Sequence, residues 1–99
     1  MTLTGKQIRQ LRSMANGLKA TLIIGKDGVN SGAVKQANDA LEAHELIKCS
    51  VLDGACMDTA DAARQLADSV EAELVQVIGH KFVLYRASAR EDIEKIELA

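Results

Sequence analysis

Aromatic residues are almost absent from this chain of 99 residues, which has no tryptophan, one phenylalanine and one tyrosine. Proteins that read single-stranded bases by stacking need several exposed aromatic rings. Phe82 and Tyr85 are the two aromatics available. We therefore expect no extended stacking platform of that kind.

Long apolar runs are also missing. The longest, residues 22–24 and 82–85, fall far short of the ~18 residues that suggest a membrane span. Residues 1–6 lack the basic stretch, apolar segment and small-residue cleavage site of a secretory signal. These absences predict a soluble cytoplasmic protein without a membrane partner.

Few residues can bind metal or carry covalent chemistry. The spacing of Cys49 and Cys56 fits neither a redox motif nor a zinc half-site, and His44 and His80 have no metal-ligand spacing. We expect reduced thiols, with Cys49 filling a strand and Cys56 in a loop. The chain has no catalytic Ser/His/Asp set and no nucleotide fingerprint. We predict no enzyme, no cofactor, no metal and no small-molecule substrate.

The remaining pattern predicts one α/β domain over residues 1–99. Apolar residues make up 47% of the chain and charged residues 26%, as in an average globular domain. Thr4 to Gln7 forms a capping box, and Asp58 is placed to cap another helix. The predicted elements are a helix ending at Asn16–Gly17, a strand over 18–24, a helix from Asn30 or Ser31 to His44, a strand over 46–52, a helix from Asp58, and strands over 74–78 and 81–86.

This order, α-β-α-β-α-β-β, predicts a small four-stranded mixed sheet with about three helices, in two or three layers. The second helix is expected to turn Val34, Ala37 and Leu41 inward. The Gly79–His80 pair predicts a tight hairpin between the last two strands. Residues 88–99 form a charged tail, which we expect to be loose or helical.

Charge is segregated along the chain, although the net charge is only −2. Residues 1–26 hold five basic residues and no acid, whereas residues 53–78 hold six acids and one arginine. A domain with one basic edge can bind a polyanion while its total charge is slightly negative. Solvated helix faces would produce the same blocks, so the pattern alone leaves both readings open.

A short Gly-x-x-Gly segment joins the first predicted strand to the second helix. Its residues are Gly25, Lys26, Asp27 and Gly28. Glycines permit close backbone approach, the amides of the following helix attract an anion, and Lys26 adds a cation. Such a loop can clamp a nucleic-acid backbone, but an isolated Gly-x-x-Gly also fits an ordinary turn.

Three ordered segments carry a more specific resemblance. Residues 18–28 (LKATLIIGKDG), 44–48 (HELIK) and 75–79 (VQVIG) with 83–86 (VLYR) resemble the CRM domain in its single-domain bacterial YhbY-like form. The resemblance extends from about Leu3 to Ala87. It implies a compact fold similar to the C-terminal domain of a bacterial translation initiation factor.

The resemblance also implies a function and a site. Members of the family bind RNA, and the bacterial forms are associated with precursors of the large ribosomal subunit. Ribosomal RNA is therefore the expected partner, and ribosomal proteins are further candidate partners. The chain departs from the family at Ala20, where proline is usual, and at Asp27, an acid within the loop. The implied RNA-binding residues are Gly25, Lys26, Asp27, Gly28, Lys6, Arg9, Arg12 and Lys19, with Lys48, Lys81 and Arg86 as further candidates.

If the family fold holds, the first helix and the loop are neighbours, so the basic residues of the first 26 positions form one surface. For Lys48, Lys81 and Arg86, a solvated sheet face or a cross-strand acid is an equal alternative. A different function, docking of a protein partner on the acidic third helix, remains the second hypothesis.

Overall fold

The computed structural model describes residues 3–55 and 57–99, and its helices and strands follow the predicted order. Cys56, the predicted loop thiol, lies outside the described residues. The elements are α1 (Gly5–Ala15), β1 (Leu22–Ile24), α2 (Ser31–His44), β2 (Leu46–Val51), α3 (Thr59–Ser69), β3 (Glu73–Ile78) and β4 (Lys81–Tyr85).

Each helix begins at a residue whose side chain caps it. The hydroxyl of Thr4 accepts a hydrogen bond from the backbone N–H of Gln7 at 3.2 Å, and the Gln7 amide oxygen accepts one from the Thr4 N–H at 2.9 Å. Asn30 and Asp58 cap α2 and α3 through their side-chain oxygens. These contacts satisfy amides that a helix leaves unpaired at its start, which confirms the predicted boundaries.

The sheet is mixed, with strand order β1-β2-β4-β3. β1 runs parallel to β2, whereas β4 is antiparallel to both β2 and β3. The Gly79–His80 turn joins β3 to β4, and Gly79 has a φ of 57°, a conformation that glycine adopts without steric cost. The predicted hairpin and the predicted four-stranded mixed sheet are confirmed.

Helices cover the two faces of the sheet unequally, giving three layers. α2 and α3 pack on one face around Leu41, Ile47, Leu66 and Phe82, which belong to the larger apolar cluster. The alanines of α3 let that helix approach the strands closely. On the other face, α1 packs through Leu11 and Ala15 in a smaller cluster, whose further buried members are Leu46, Val75, Val83 and Tyr85.

Two details of these predicted elements were wrong. β1 starts at Leu22 rather than at residue 18, because the chain must first cross from α1 to the edge of the sheet. Asn16 keeps right-handed helical angles (φ −59°, ψ −28°), and Gly17 has no positive φ, so α1 does not end on a left-handed residue. In α2, Ala37 and Leu41 are fully buried and Val34 packs against the same apolar cluster, as predicted, and Ala33 is a further buried residue of this face.

The charged tail is neither helical nor loose. It is irregular and lies along α1, where the Gln10 side-chain amide donates to the Glu97 carbonyl at 2.6 Å and the Ala99 N–H donates to the Gln10 amide oxygen at 2.7 Å. Ile96 and Leu98 join the smaller apolar cluster. The apolar residues among the charges explain why the tail docks.

Glu45 fixes the start of this tail. It is 2% exposed, has a φ of 64° between α2 and β2, and places its carboxylate against two tail amides. The Ser88 N–H donates to Glu45 Oε2 at 2.6 Å, and the Ile96 N–H donates to Oε1 at 2.7 Å. A single side chain therefore joins two distant tail positions to the sheet.

We expect Glu45→Ala to lower the free energy of unfolding by about 2 kcal/mol or more, because it leaves two shielded amides without acceptors. Urea unfolding followed by circular dichroism measures this change. Glu91→Ala, at an exposed tail position, is the control and should leave the midpoint unchanged. Equal midpoints for the two variants would contradict the role of Glu45.

The Cys49 thiol lies in the core of the sheet, and burial raises its pKa to about 12. Because the thiolate is the reactive form, a raised pKa keeps Cys49 protonated and unreactive at neutral pH. In a Cys56→Ser variant, we expect Cys49 to resist iodoacetamide at pH 8 until guanidinium unfolds the chain. Mass spectrometry measures the modification, and rapid labelling of the native protein would contradict the burial.

Candidate nucleic-acid interface

The Gly-x-x-Gly loop is a tight turn directly after β1. The Gly28 N–H donates to the Gly25 carbonyl at 3.0 Å, and Gly28 has a φ of 66°, which a larger residue would adopt only with strain. Lys26 and Asp27 are exposed and make no side-chain hydrogen bond or ion pair with the described residues. The loop therefore presents one cation and one anion to solvent.

An open groove of about 690 Å³ lies against this loop. The loop forms one wall, the first turn of α2 forms another, and the aliphatic side chains of Ile23 and Leu52 complete the lining. The backbone amides at the start of α2 carry partial positive charge, which favours an anion in this groove. The groove can thus accept a phosphate beside an apolar surface.

The basic residues of α1 form a second group. Lys6, Arg9 and Arg12 are exposed along this helix, and Arg12 also donates from Nε to the Val75 carbonyl at 3.4 Å. α1 packs on β2, β3 and β4, whereas the loop follows β1 at the edge of the sheet. No hydrogen bond or ion pair joins the helix to the loop in the described part of the chain. That the two groups form one surface therefore stays a prediction.

We call one part of the sheet the open row, formed by Ile23, Ser50, Lys81 and Ile78. Ile23 pairs with Ser50, Ser50 with Lys81, and Lys81 with Ile78, one residue from each strand. Residues paired in register point to the same side of a sheet. Lys48 points to the α1 face, because its Nζ donates to the carbonyl of Ala15 at 3.4 Å. Ser50 lies two residues further along β2 and points to the same face. The open row therefore lies on the α1 face.

The open row is accessible to solvent. Ile23 is 59% exposed and Ile78 58% exposed, unusual values for isoleucines in a sheet. Lys81 is exposed between them. Lys48 and Lys81, the sheet lysines predicted as further candidates, therefore share the α1 face with Arg12.

Lys19 lines a different groove, of about 820 Å³, between α1, the beginning of β2 and the tail. Lys48 and the exposed side chain of Met14 line the same groove. Its far wall is residues 94–97, which include two glutamates. Lys19 is thus associated with Lys48 rather than with the loop.

Arg86 is engaged within the protein. Its side chain is 21% exposed, its Nη1 donates to the Val70 carbonyl at 2.8 Å and to Asn38 Oδ1 at 2.6 Å, and its Nη2 contacts Glu42 Oε2 at 3.2 Å. The guanidinium thereby joins α2 to the end of α3, on the face opposite α1. Its donors are occupied by protein acceptors, so we leave Arg86 out of the candidate surface.

The face formed by α2 and α3 carries exposed charges of both signs. Lys35 pairs with Asp39, and Arg64 pairs with Asp61, each within a single helix. The acids of residues 58–71 lie on α3 and its ends. The basic residues of α1 and the acidic α3 are therefore on opposite sides of the sheet, whereas Lys26 lies at the sheet edge beside the start of α2.

Among residues 3–55 and 57–99, no group of His, Cys, Asp and Glu side chains has the geometry to hold a metal ion. None of the helices described is long and apolar enough to cross a membrane.

Comparison with known proteins finds a matching family and similar proteins from other organisms. The family model of the CRS1 / YhbY (CRM) domain matches residues 3–86 of the sequence. The Bacillus subtilis protein named "Probable RNA-binding protein YqeI" is 47% identical over 96 residues, covering 97% of this chain and 98% of the relative. A Haemophilus influenzae protein named "RNA-binding protein" is 35% identical over 94 residues, 94% of each chain.

A solved structure has the same fold. The solution structure of the hypothetical protein SAV1595 from Staphylococcus aureus superposes with a TM-score of 0.76 at 44% sequence identity. The match covers 96% of this chain and all of the other.

We expect Arg86→Ala to lower the free energy of unfolding by about 2 kcal/mol, because it leaves the carbonyl of Val70 and the carboxylate of Glu42 without their shared donor. Chemical denaturation measures the loss. Arg90→Ala removes an exposed pair with Asp92 and should leave the free energy of unfolding nearly unchanged. Equal stabilities of the Arg86→Ala and Arg90→Ala proteins would contradict the structural role of Arg86.

Proposed function

This chain belongs to the CRS1/YhbY (CRM) domain family, and we propose that it is a non-catalytic RNA-binding protein. The relatives named as RNA-binding proteins cover nearly its whole length. The observation that carries the proposal is the set of exposed cations on α1, β4 and the Gly25–Gly28 loop, which make no ion pair with the described residues. Those of α1 and β4 lie across the sheet from the acidic helix.

The loop would hold one backbone phosphate. Gly28 permits the tight turn, the Lys26 ammonium supplies charge, and the start of α2 supplies partly positive amides. Asp27 would repel a second phosphate or accept a hydrogen bond from a ribose hydroxyl or a base. The loop alone therefore binds few phosphates, and further affinity must come from α1 and the sheet lysines.

The RNA we propose is ribosomal RNA in precursors of the large ribosomal subunit, where the protein would assist assembly. The resemblance to bacterial YhbY-like proteins motivates this choice. Lysine and arginine contacts to phosphates give affinity with little sequence reading. RNA shape and ribosomal proteins already bound would then determine the position at which this protein binds.

The competing function is a protein-interaction module that uses the acidic face of α3. The exposed acids of residues 58–71 motivate it. Binding through that face would persist after ribonuclease treatment. It would also be insensitive to reversal of the basic residues of α1 and the loop.

We expect the double variant Arg9→Glu, Lys26→Glu to bind large-subunit ribosomal RNA about 10- to 100-fold more weakly, with a shallower salt dependence and an unchanged melting temperature. Each reversal removes a phosphate contact and adds repulsion at an exposed position. Filter binding across a salt series measures both affinity and slope.

The matched control is Lys35→Glu, Arg64→Glu. It changes the net charge by the same amount but alters residues of α2 and α3, whose exposed ion pairs contribute little stability. It should bind RNA much more tightly than the first variant does. Equal losses in the two variants, or RNA binding that neither variant weakens, would overturn the proposed surface.

A further inference from the structure

We propose that the open row contacts the bases of unpaired RNA, so that this protein binds single-stranded RNA in preference to duplex. The inference rests on the proposed function and specifies its RNA class. The two isoleucines at the ends of the row, Ile23 and Ile78, are the residues assigned to base contact.

The row provides apolar surface at both of its ends, with Ser50 and Lys81 between the two isoleucines. Its four side chains occupy four adjacent strands, spaced about 4.8 Å apart, so the row extends across roughly 14 Å. α1 leaves this part of the sheet uncovered, and both isoleucines remain more than half exposed. Exposure of large β-branched side chains on a sheet face is costly unless something covers them.

Charge complementarity favours a nucleic acid as the partner. Lys81 lies inside the row, Lys48 lies on the same face one pleat nearer to α1, and Lys26 follows Ile23 in the adjoining loop. A protein interface of standard size buries about 800 Å² on each partner and depletes lysine at its centre. Four side chains with a lysine among them are too few and too charged for such an interface.

The geometry favours unpaired nucleotides. In an A-form helix the base faces are stacked and the major groove is too narrow for side chains, so a duplex would meet the lysines but not the isoleucines. An unstacked base presents a flat apolar face that an aliphatic side chain can cover. Aliphatic contact of this kind substitutes for the aromatic platform that the chain lacks.

The open row is continuous with the loop groove, because Ile23 lines both. A base lying on Ile23 would have its phosphate beside the Gly25–Gly28 loop. Ile23 and the loop would then contact the same nucleotide. The loop would therefore bind a phosphate more tightly when the base of that nucleotide is unpaired.

The test compares Ile23→Thr, Ile78→Thr with the wild type, because threonine keeps the β-branched shape and removes apolar surface. The probes are a fluorescent single-stranded RNA of about 12 nucleotides and the same sequence as a duplex. We expect the variant to lose on the order of tenfold in single-strand affinity, with an unchanged salt slope and unchanged duplex affinity. The wild type should bind the single strand more tightly than the duplex at each salt concentration.

Val77→Thr is the matched control. Val77 is 41% exposed and adjacent to Ile78 on β3, but it pairs with Phe82 and so points to the opposite face. It should bind both RNAs as the wild type does, whereas Ile78→Thr alone should already weaken binding to the single strand. Equal effects of Val77→Thr and Ile78→Thr would overturn the assignment.

Other results separate this inference from the proposed function. If the isoleucine variant binds single strands normally while Arg9→Glu, Lys26→Glu does not, the open row has no role in RNA binding and the proposed function stands. If the isoleucine variant loses a ribosomal protein but keeps RNA, the row is a protein contact and the inference is overturned. If the wild type binds neither RNA nor ribosomal precursors, the proposed function and the inference both fail.

Discussion

The unequal coverage of the two sheet faces determines the rest of this structure. α2 and α3 together cover one face, where Ile47, Leu66 and Phe82 are buried. α1 has 11 residues, about 16 Å of helix, and covers the other face incompletely. The tail adds Ile96 and Leu98 beside α1 but leaves the loop end of the sheet open. The exposed row is therefore a consequence of helix length and tail position.

The same division separates the charges. The outer side of α3 is acidic, whereas the helix on the opposite face carries Lys6, Arg9 and Arg12. An electrostatic field depends on where charges lie rather than on their sum, so a net charge of −2 is compatible with a face that attracts phosphates. At physiological ionic strength the field extends about 8 Å, which makes position on the correct face decisive.

Local signals in the sequence were sufficient for most of the fold. Capping at Thr4, Asn30 and Asp58 depends on residues three positions apart, and the Gly79–His80 turn depends on two adjacent residues, so each can be read without the rest of the chain. The apolar alternation of β2 likewise predicted which of its residues are buried.

Features that depend on distant residues were missed. Arg86 looks like an exposed strand cation in the sequence, but its acceptors come from α2 and from the end of α3. The role of Glu45 depends on amides 43 and 51 positions away. The alternation of β1 indicates that Ile23 faces away from Ile24, but not that α1 leaves this face uncovered. Knowledge of tertiary placement was needed for all three: of helices for Arg86 and Ile23, and of the tail for Glu45.

Charged and apolar contacts would contribute differently to RNA binding by such a surface. Phosphate contacts weaken steeply as salt rises, since binding releases counterions, whereas apolar contacts keep most of their strength. Lysine and arginine therefore attract any RNA, paired or unpaired. Isoleucines that reach only unstacked bases add affinity for one of the two forms, and their relative contribution grows with salt. The few apolar side chains that α1 leaves exposed would thus contribute more to the choice of RNA than to the strength of binding.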